Sequence, residues 1–121
     1  MDGINKVCVN RPWGRFEQYC DNVKCTVKIH FFKPNEEWSL QYHYSRDEFW
    51  KIIKGNATVV IGDKKIKAKE GDEFFCKRGE KHRMRAGKTP TEVLEICFGD
   101  FDENDEVRIE DKYKRVTGTV Y

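Results

Sequence analysis

In the run KCTVKIHFFKP, Cys25, Val27, Ile29 and Phe31 fall on one side of an extended chain, while Thr26, Lys28, His30 and Phe32 fall on the other. A period of two is the signature of a β-strand, and this one stops at Pro34, which has no N–H to give to a ladder. Similar segments follow in EWSLQYHY and in EFWKIIKGNATVVIGDKKIKAKEGDEFF, where Gly55-Asn56 and Gly62-Asp63 are turn signals between β-rich runs. Further strands are predicted at Glu73–Cys76, His82–Arg85 and Thr91–Phe98. Turn signals roughly every 8–12 residues favour a sandwich or barrel over alternating strands and helices. About eight short strands in one domain fit an all-β, double-sheet jelly roll. There is no repeat and no low-complexity segment. The acidic stretch GDFDENDE, Gly99–Glu106, reads as a solvated loop, and Met1–Val9 and Thr117–Tyr121 read as loose ends.

Composition narrows the class. A chain of 121 residues is one domain, 1–121, large enough to bury roughly two-thirds of its unfolded surface without help from a disulfide or a structural metal. The 23 Lys and Arg against 21 Asp and Glu leave a net charge of +2, and nucleic-acid binding leaves a stronger basic footprint than that. No apolar run reaches membrane-spanning length, and MDGINKVCVNR has no signal-peptide pattern, so the expectation is a cytoplasmic protein without a membrane partner. The five cysteines are odd in number and form no CxxC pair, which points to reduced thiols. Cys25 and Cys97 fall within predicted strands, which suits small buried side chains.

Three polar groups interrupt the strand-like run QYHYSRDEFWKIIKG. Gln41 and His43 share a face about 7 Å apart along a strand. Glu48 follows five residues later, where a turn can bring its carboxylate back beside them, and GDEFFCKRGEKH supplies His82. Two imidazoles, a carboxylate and an amide oxygen would make a four-point cage. Such a mixed N/O set suits Zn²⁺, Mn²⁺, Fe²⁺, Co²⁺ or Ni²⁺ rather than Ca²⁺. The alternative is an ordinary hydrogen-bonded pair.

The spacing resembles the two-part cupin signature, G-x5-H-x-H-x3,4-E-x6-G followed by G-x5-P-x-G-x2-H-x3-N. His43, Glu48 and Gly55 reproduce the second half of the first motif, and Gly71, Gly79 and His82 most of the second. Gln41 stands in place of the first histidine, Lys77 in place of the proline and Ala86 in place of the asparagine. A narrower family is also similar: the cupin domain of type II phosphomannose isomerases, often fused behind a mannose-1-phosphate guanylyltransferase. Its pattern of RPWG, SLQxHxHRAEHW, GTA, KHR, IEV and DxYGR is matched in order. The matching pieces are RPWG at Arg11–Gly14, SLQYHYSRDEFW at Ser39–Trp50, GNATV at Gly55–Val59, KHR at Lys81–Arg83, LEI at Leu94–Ile96 and DKYKR at Asp111–Arg115. Ser45 replaces the family's second histidine, Phe49 the histidine before Trp50, and Lys114 the glycine of DxYGR.

The resemblance implies a cupin double-stranded β-helix that binds a divalent metal, Zn²⁺ first among the candidates, through Gln41, His43, Glu48 and His82. It implies interconversion of mannose 6-phosphate and fructose 6-phosphate. That reaction moves a proton between C2 and C1 and needs a base near its operating pKa. Glu95, matching the glutamate of IEV and breaking the apolar run VLEICF, is the first candidate for the base; a buried salt bridge is its alternative role. Lys81 is a weaker candidate for proton transfer. A sugar phosphate asks for arginine forks, and the matching arginines are Arg46, Arg83 and Arg115, with Arg11 through RPWG. Arg115 leads because the family's terminal arginine is implicated in isomerisation. Trp13, Trp38, Trp50, Tyr42, Tyr44 and Tyr113 are available either to line a sugar pocket or to pack the core. A homodimer is expected, because pairing at a sheet edge hides unpaired backbone. The alternative function is a non-catalytic cupin that binds a sugar phosphate or nucleotide sugar.

Overall fold

Alternation, turn glycines and short spacing give β-structure throughout. The computed structural model describes residues 4–113 and contains, among them, strands and no helix. The strands are β1 (Val7–Arg11), β2 (Gly14–Gln18), β3 (Cys25–Phe32), β4 (Leu40–Tyr42), β5 (Arg46–Lys54), β6 (Asn56–Ile61), β7 (Lys64–Lys69), β8 (Glu73–Cys76), β9 (His82–Ala86), β10 (Thr91–Gly99) and β11 (Val107–Glu110). They form a four-stranded sheet in the order β3-β10-β5-β8 and a five-stranded sheet in the order β11-β4-β9-β6-β7, every pairing antiparallel. This is the double-sheet jelly roll that the sequence predicts. No helix of the described residues is long and apolar enough to cross a membrane.

The core lies between the two sheets. Trp50 and Ile52 from β5, Val93 from β10, Cys76 from β8, Ala57 and Val59 from β6, Ala68 from β7 and Met84 from β9 are all buried there. Phe32, Trp38, Ile61 and Phe74 close its margins. Fully burying one such aliphatic side chain contributes about 1.5–3 kcal/mol. The apolar end of the barrel is therefore well supported, and the polar residues gather beside it.

The N-terminal segment, Cys25 and the acidic stretch differ from the sequence expectations. Val7–Val9 are not loose: they open β1, which pairs with β2 from Val7↔Gln18 to Arg11↔Gly14, so RPWG is the tip of a hairpin. Thr117–Tyr121 lie outside the described residues. On β3 the apolar set faces outward, with Val27, Ile29 and Phe31 exposed and Cys25 half-buried, while Lys28, His30 and Phe32 turn toward the barrel. Carboxylates within reach of the inner face explain this: Lys28 pairs with Glu103 at 3.2 Å and His30 with Glu95 at 3.0 Å. Cys97, unlike Cys25, is buried as expected.

The acidic stretch is not simply a solvated loop. It wraps back over the end of the barrel because its backbone and carboxylates meet fixed donors. The carboxylate of Asp105 accepts from Tyr44 N at 3.0 Å and Ser45 N at 2.8 Å, and Asp102 O accepts from Arg46. The loop departs at Gly99, whose φ of +107° and close approach to Ser45 O (2.6 Å from where a Cβ would stand) leave room only for glycine.

Candidate metal centre

Parity along three strands brings the polar side chains together. On β5, Arg46, Glu48, Trp50 and Ile52 share the inward face. On β10, Glu95 and Cys97 do the same, and the register sets Cys97 opposite Glu48 and Glu95 opposite Trp50. From the facing sheet come His82, at the head of β9 opposite Gln41 of β4, and His43, just past the end of β4. His43, Glu48 and His82 are all buried, with one ligand atom from each lying within 4.8 Å of the others. His43 Nε2 is 3.1 Å from Glu48 Oε2, His82 Nε2 is 3.7 Å from Glu48 Oε1, and the two rings are 5.0 Å apart.

The outer contacts set the protons. His43 Nδ1 lies 2.7 Å from the carbonyl of Asp105, and His82 Nδ1 lies 3.1 Å from the carbonyl of Glu80. A carbonyl only accepts, so both Nδ1 atoms carry the proton and both Nε2 atoms present a lone pair toward the Glu48 carboxylate. Three electron-pair donors therefore converge with no proton of their own to place between them, and His82 Nε2, fully buried, has no hydrogen-bond partner. Such a convergence calls for a cation. Arg46 competes with a cation for the same donors: it donates through Nη2 to the single lone pair of His43 Nε2 at 3.1 Å and through Nε to Glu48 Oε2 at 3.1 Å, so ligation by His43 requires the guanidinium to give up that contact. Trp50 Nε1 donates to Glu48 Oε1 at 2.9 Å. Two imidazole nitrogens and one carboxylate, each oriented by an outer hydrogen bond, fit a divalent transition metal or zinc with coordination positions left over.

The two buried carboxylates diverge in their affinity for protons. Burial works against a charge on Glu48, but the neighbouring imidazoles of His43 and His82 outweigh it and hold the carboxyl well below its usual range. Burial and then the charge of Glu48 push Glu95 up, with His30 opposing. Burial also lowers His82, keeping its imidazole neutral. Arg46 is raised: the charge and hydrogen bond of Glu48 overcome the burial that would otherwise lower it. Two neighbouring carboxylates whose proton affinities are pushed in opposite directions are an arrangement that acid–base chemistry uses.

The other expected site residues are placed differently. Gln41 is occupied elsewhere: with its amide nitrogen turned toward Glu106 it donates to both carboxylate oxygens at 3.2 Å and to Ser39 Oγ at 2.6 Å. Glu106 in turn holds Arg108 at 2.7 Å. Lys81 is exposed, with its Nζ 3.9 Å from Asp63 on the β6–β7 turn, and it does not enter the cluster. Arg83 neighbours inward-facing His82 on β9 and so points the other way, where Glu37 (3.0 Å) and Glu110 (3.1 Å) bind it. Arg11 lies at the hairpin tip, its guanidinium 5.5 Å from the Phe16 ring. Of the expected arginines, Arg46 is the one at the centre; Arg115 lies outside the described residues. Trp38 and Trp50 stack edge-on at 5.4 Å against the cluster, whereas Trp13, Tyr44 and Tyr113 are exposed. His30 and Asp105 were not singled out from the sequence. The signal for His30 was its place on the Lys28–Phe32 face of β3. Asp105 gave none, because it acts on His43 through a backbone carbonyl.

The family described as Mannose-6-phosphate isomerase C-terminal matches residues 4–111. This chain belongs to that family. Among relatives, xanthan biosynthesis protein XanB of Xanthomonas campestris pv. campestris is 36% identical over 109 residues, covering 88% of this chain and 23% of its own length. Mannose-1-phosphate guanylyltransferase ManC of Salmonella typhimurium is 34% identical over 110 residues, covering 89% of this chain and 23% of its own. This member of the mannose-6-phosphate isomerase C-terminal family thus spans about a quarter of the length of those proteins. Among solved structures, oxalate decarboxylase from Bacillus subtilis superposes with a TM-score of 0.65 at 25% identity, over 70% of this chain and 24% of that one. A sugar phosphate isomerase of the cupin superfamily from Silicibacter pomeroyi gives 0.59 at 19% identity, over 63% of this chain and 51% of that one. At that identity the second likeness speaks for the fold, which is the cupin fold.

Proposed function

We propose that this domain is a divalent-metal-dependent sugar-phosphate isomerase that interconverts mannose 6-phosphate and fructose 6-phosphate. The observation that carries the reading is the buried trio of His43, Glu48 and His82 set against Glu95, in a chain that matches the isomerase C-terminal family over nearly its whole length. A bound divalent cation supplies Lewis-acid stabilisation of charge developing on the sugar's carbonyl and hydroxyl oxygens. The chain's own residues do the rest. His43 and His82 present their Nε2 lone pairs, and Asp105 O and Glu80 O keep the tautomers that allow it. Glu95 carries the proton between C2 and C1, since its raised affinity for a proton suits exchange near neutral pH. His30, 3.0 Å away, orients the Glu95 carboxyl. Arg46 balances the charge of Glu48, and Lys28, half-buried and paired in register with Glu95, is a cation available to a phosphate. A cytoplasmic setting belongs to this reading and fits the five free cysteines.

A non-catalytic cupin that binds a sugar phosphate or nucleotide sugar is the second reading. It is favoured by Arg46, which already serves both His43 and Glu48. Turnover separates the two. Metal-loaded protein is expected to interconvert the two hexose phosphates, and Glu95→Gln is expected to slow this by about 10²–10⁴-fold, the usual contribution of a general base. Calorimetric binding of mannose 6-phosphate without any turnover would replace the isomerase with the binder.

A further inference from the structure

The hairpin of β1 and β2 stands apart from the barrel, forming a two-stranded sheet of its own. It is tethered at its base: Lys6 bonds Glu73 at 2.9 Å, Lys51 bonds Tyr19 Oη at 2.8 Å, and the Tyr19 ring packs 5.2 Å from Phe49. Its tip is different. Arg11 and Trp13 touch Phe16 of the same hairpin, at 5.5 and 6.4 Å, and Trp13 remains 72% exposed. An isolated two-stranded hairpin is at best marginal in water, so an extended arm with an uncovered tryptophan at its end is costly unless something receives it.

A receiving surface lies on the same chain. Among the described residues β3 is an edge strand, paired only with β10. Its outward side chains Val27, Ile29 and Phe31 are 57%, 48% and 72% exposed. A strand that alternates apolar with polar residues and turns the apolar set to water is written for a cover that the barrel does not provide. At the Phe31 end, the register places Glu92 of β10 directly opposite, and Glu92 makes no ion pair among the described residues. At the arm tip Arg11 has no carboxylate partner among the described residues either.

We propose that this chain forms a two-fold dimer in which the arm tip of each copy docks on the β3 stripe of the other. Trp13 seats against Val27, Ile29 and Phe31, and Arg11 meets Glu92. The unpaired charges are complementary, and both halves of the contact belong to one chain, so a two-fold axis satisfies each of them twice. Tryptophan and arginine are the residue types that anchor such contacts. The arrangement also gives the RPWG segment a use that the metal centre does not.

Sedimentation velocity over a concentration series tests this with the full chain. The wild-type protein is expected to sediment as a dimer. Trp13→Ala and Phe31→Asp are each expected to weaken association by at least about 10-fold, the size of effect expected for an anchor residue. Both positions are exposed, and unchanged circular dichroism would show that the variants fold. The discriminating pair is Arg11→Glu and Glu92→Arg: each alone weakens the dimer, and the double reversal restores it. A wild-type monomer at the highest attainable concentration would overturn the proposal and assign the stripe to a different occupant. So would a dimer indifferent to Trp13→Ala and to the charge reversals.

Discussion

His82 Nε2 lies 3.7 Å from Glu48 Oε1, shut away from solvent, and neither gives nor receives a hydrogen bond. A buried polar nitrogen left this way costs about 1–3 kcal/mol. A fold tolerates such a cost where the lone pair has a further use. We therefore expect His82→Ala to lower Zn²⁺ or Co²⁺ affinity by about 100-fold or more, while His30→Ala, outside the trio, leaves it within a few-fold. Chelator-competition titration with elemental analysis reads both. Equal affinities in the wild type and His82→Ala would remove the cation from the centre.

Glu48 and Arg46 form a buried pair, the carboxylate at 2% and the guanidinium at 5% exposure. Removing one partner strands the other's charge. Glu48→Ala is thus expected to cost about 3–5 kcal/mol of folding stability, as breaking a buried ion pair does. The double variant Glu48→Leu with Arg46→Met should recover much of that loss. Urea unfolding with chelator present isolates this effect from ion binding.

Gly99 begins the loop that crosses the centre. A side chain there would adopt an unfavourable backbone angle and strike Ser45 O. Gly99→Val should cost about 1–3 kcal/mol from the backbone alone. It should also open the segment after residue 99 to proteolysis, which limited digestion would detect. Unchanged melting temperature and digestion pattern would contradict this.

The arm's tether carries its own pH dependence. Hydrogen bonds from Lys51, Lys6 and Tyr19 lower Glu17 to about 2. A carboxyl depressed on folding contributes stability that is complete above its ordinary value of 4.5 and is lost as pH falls toward 2. Glu17→Gln should therefore flatten the acid limb of arm attachment, followed through the NMR signals of Lys51 and Tyr19. Because the group is partly open to solvent, the effect is small. Identical acid limbs in the two proteins would rule it out.

Burial pushes the thiols of Cys76 and Cys97 well up, so both stay protonated. Cys8 is exposed. Brief alkylation at pH 8 is expected to label Cys8 first and to spare Cys76 and Cys97 until the protein is denatured. Peptide mass spectrometry gives the order directly.

Much of this was legible before any coordinates. Period-two alternation and turn signals located β3, β8, β9 and β10, and spacing read with the cupin resemblance singled out Gln41, His43, Glu48 and His82, of which the last three converge. Side-chain parity contained more than was drawn from it: an inward His82 already requires Arg83 to face the other way. Elsewhere the signals were ambiguous. The apolar set on β3 is the outward one, and it obscured His30 on the reverse side. The hairpin around RPWG was hidden because five-residue strands with mixed patterns resemble a loose end. Gln41 matched a motif position, yet its neighbours Ser39 and Glu106 take its amide, a contact that depends on how β4 and β11 pair.

The acceptor that fixes His43 is a peptide carbonyl, a group that every amino acid at position 105 would supply. Point substitutions there can loosen the turn at Tyr44 and Ser45 but cannot delete the oxygen that holds the imidazole. What the centre demands of this segment is a route through space, so its vulnerability lies in added or missing residues. Insertions between 99 and 106 should disable the protein where conservative replacements pass unnoticed.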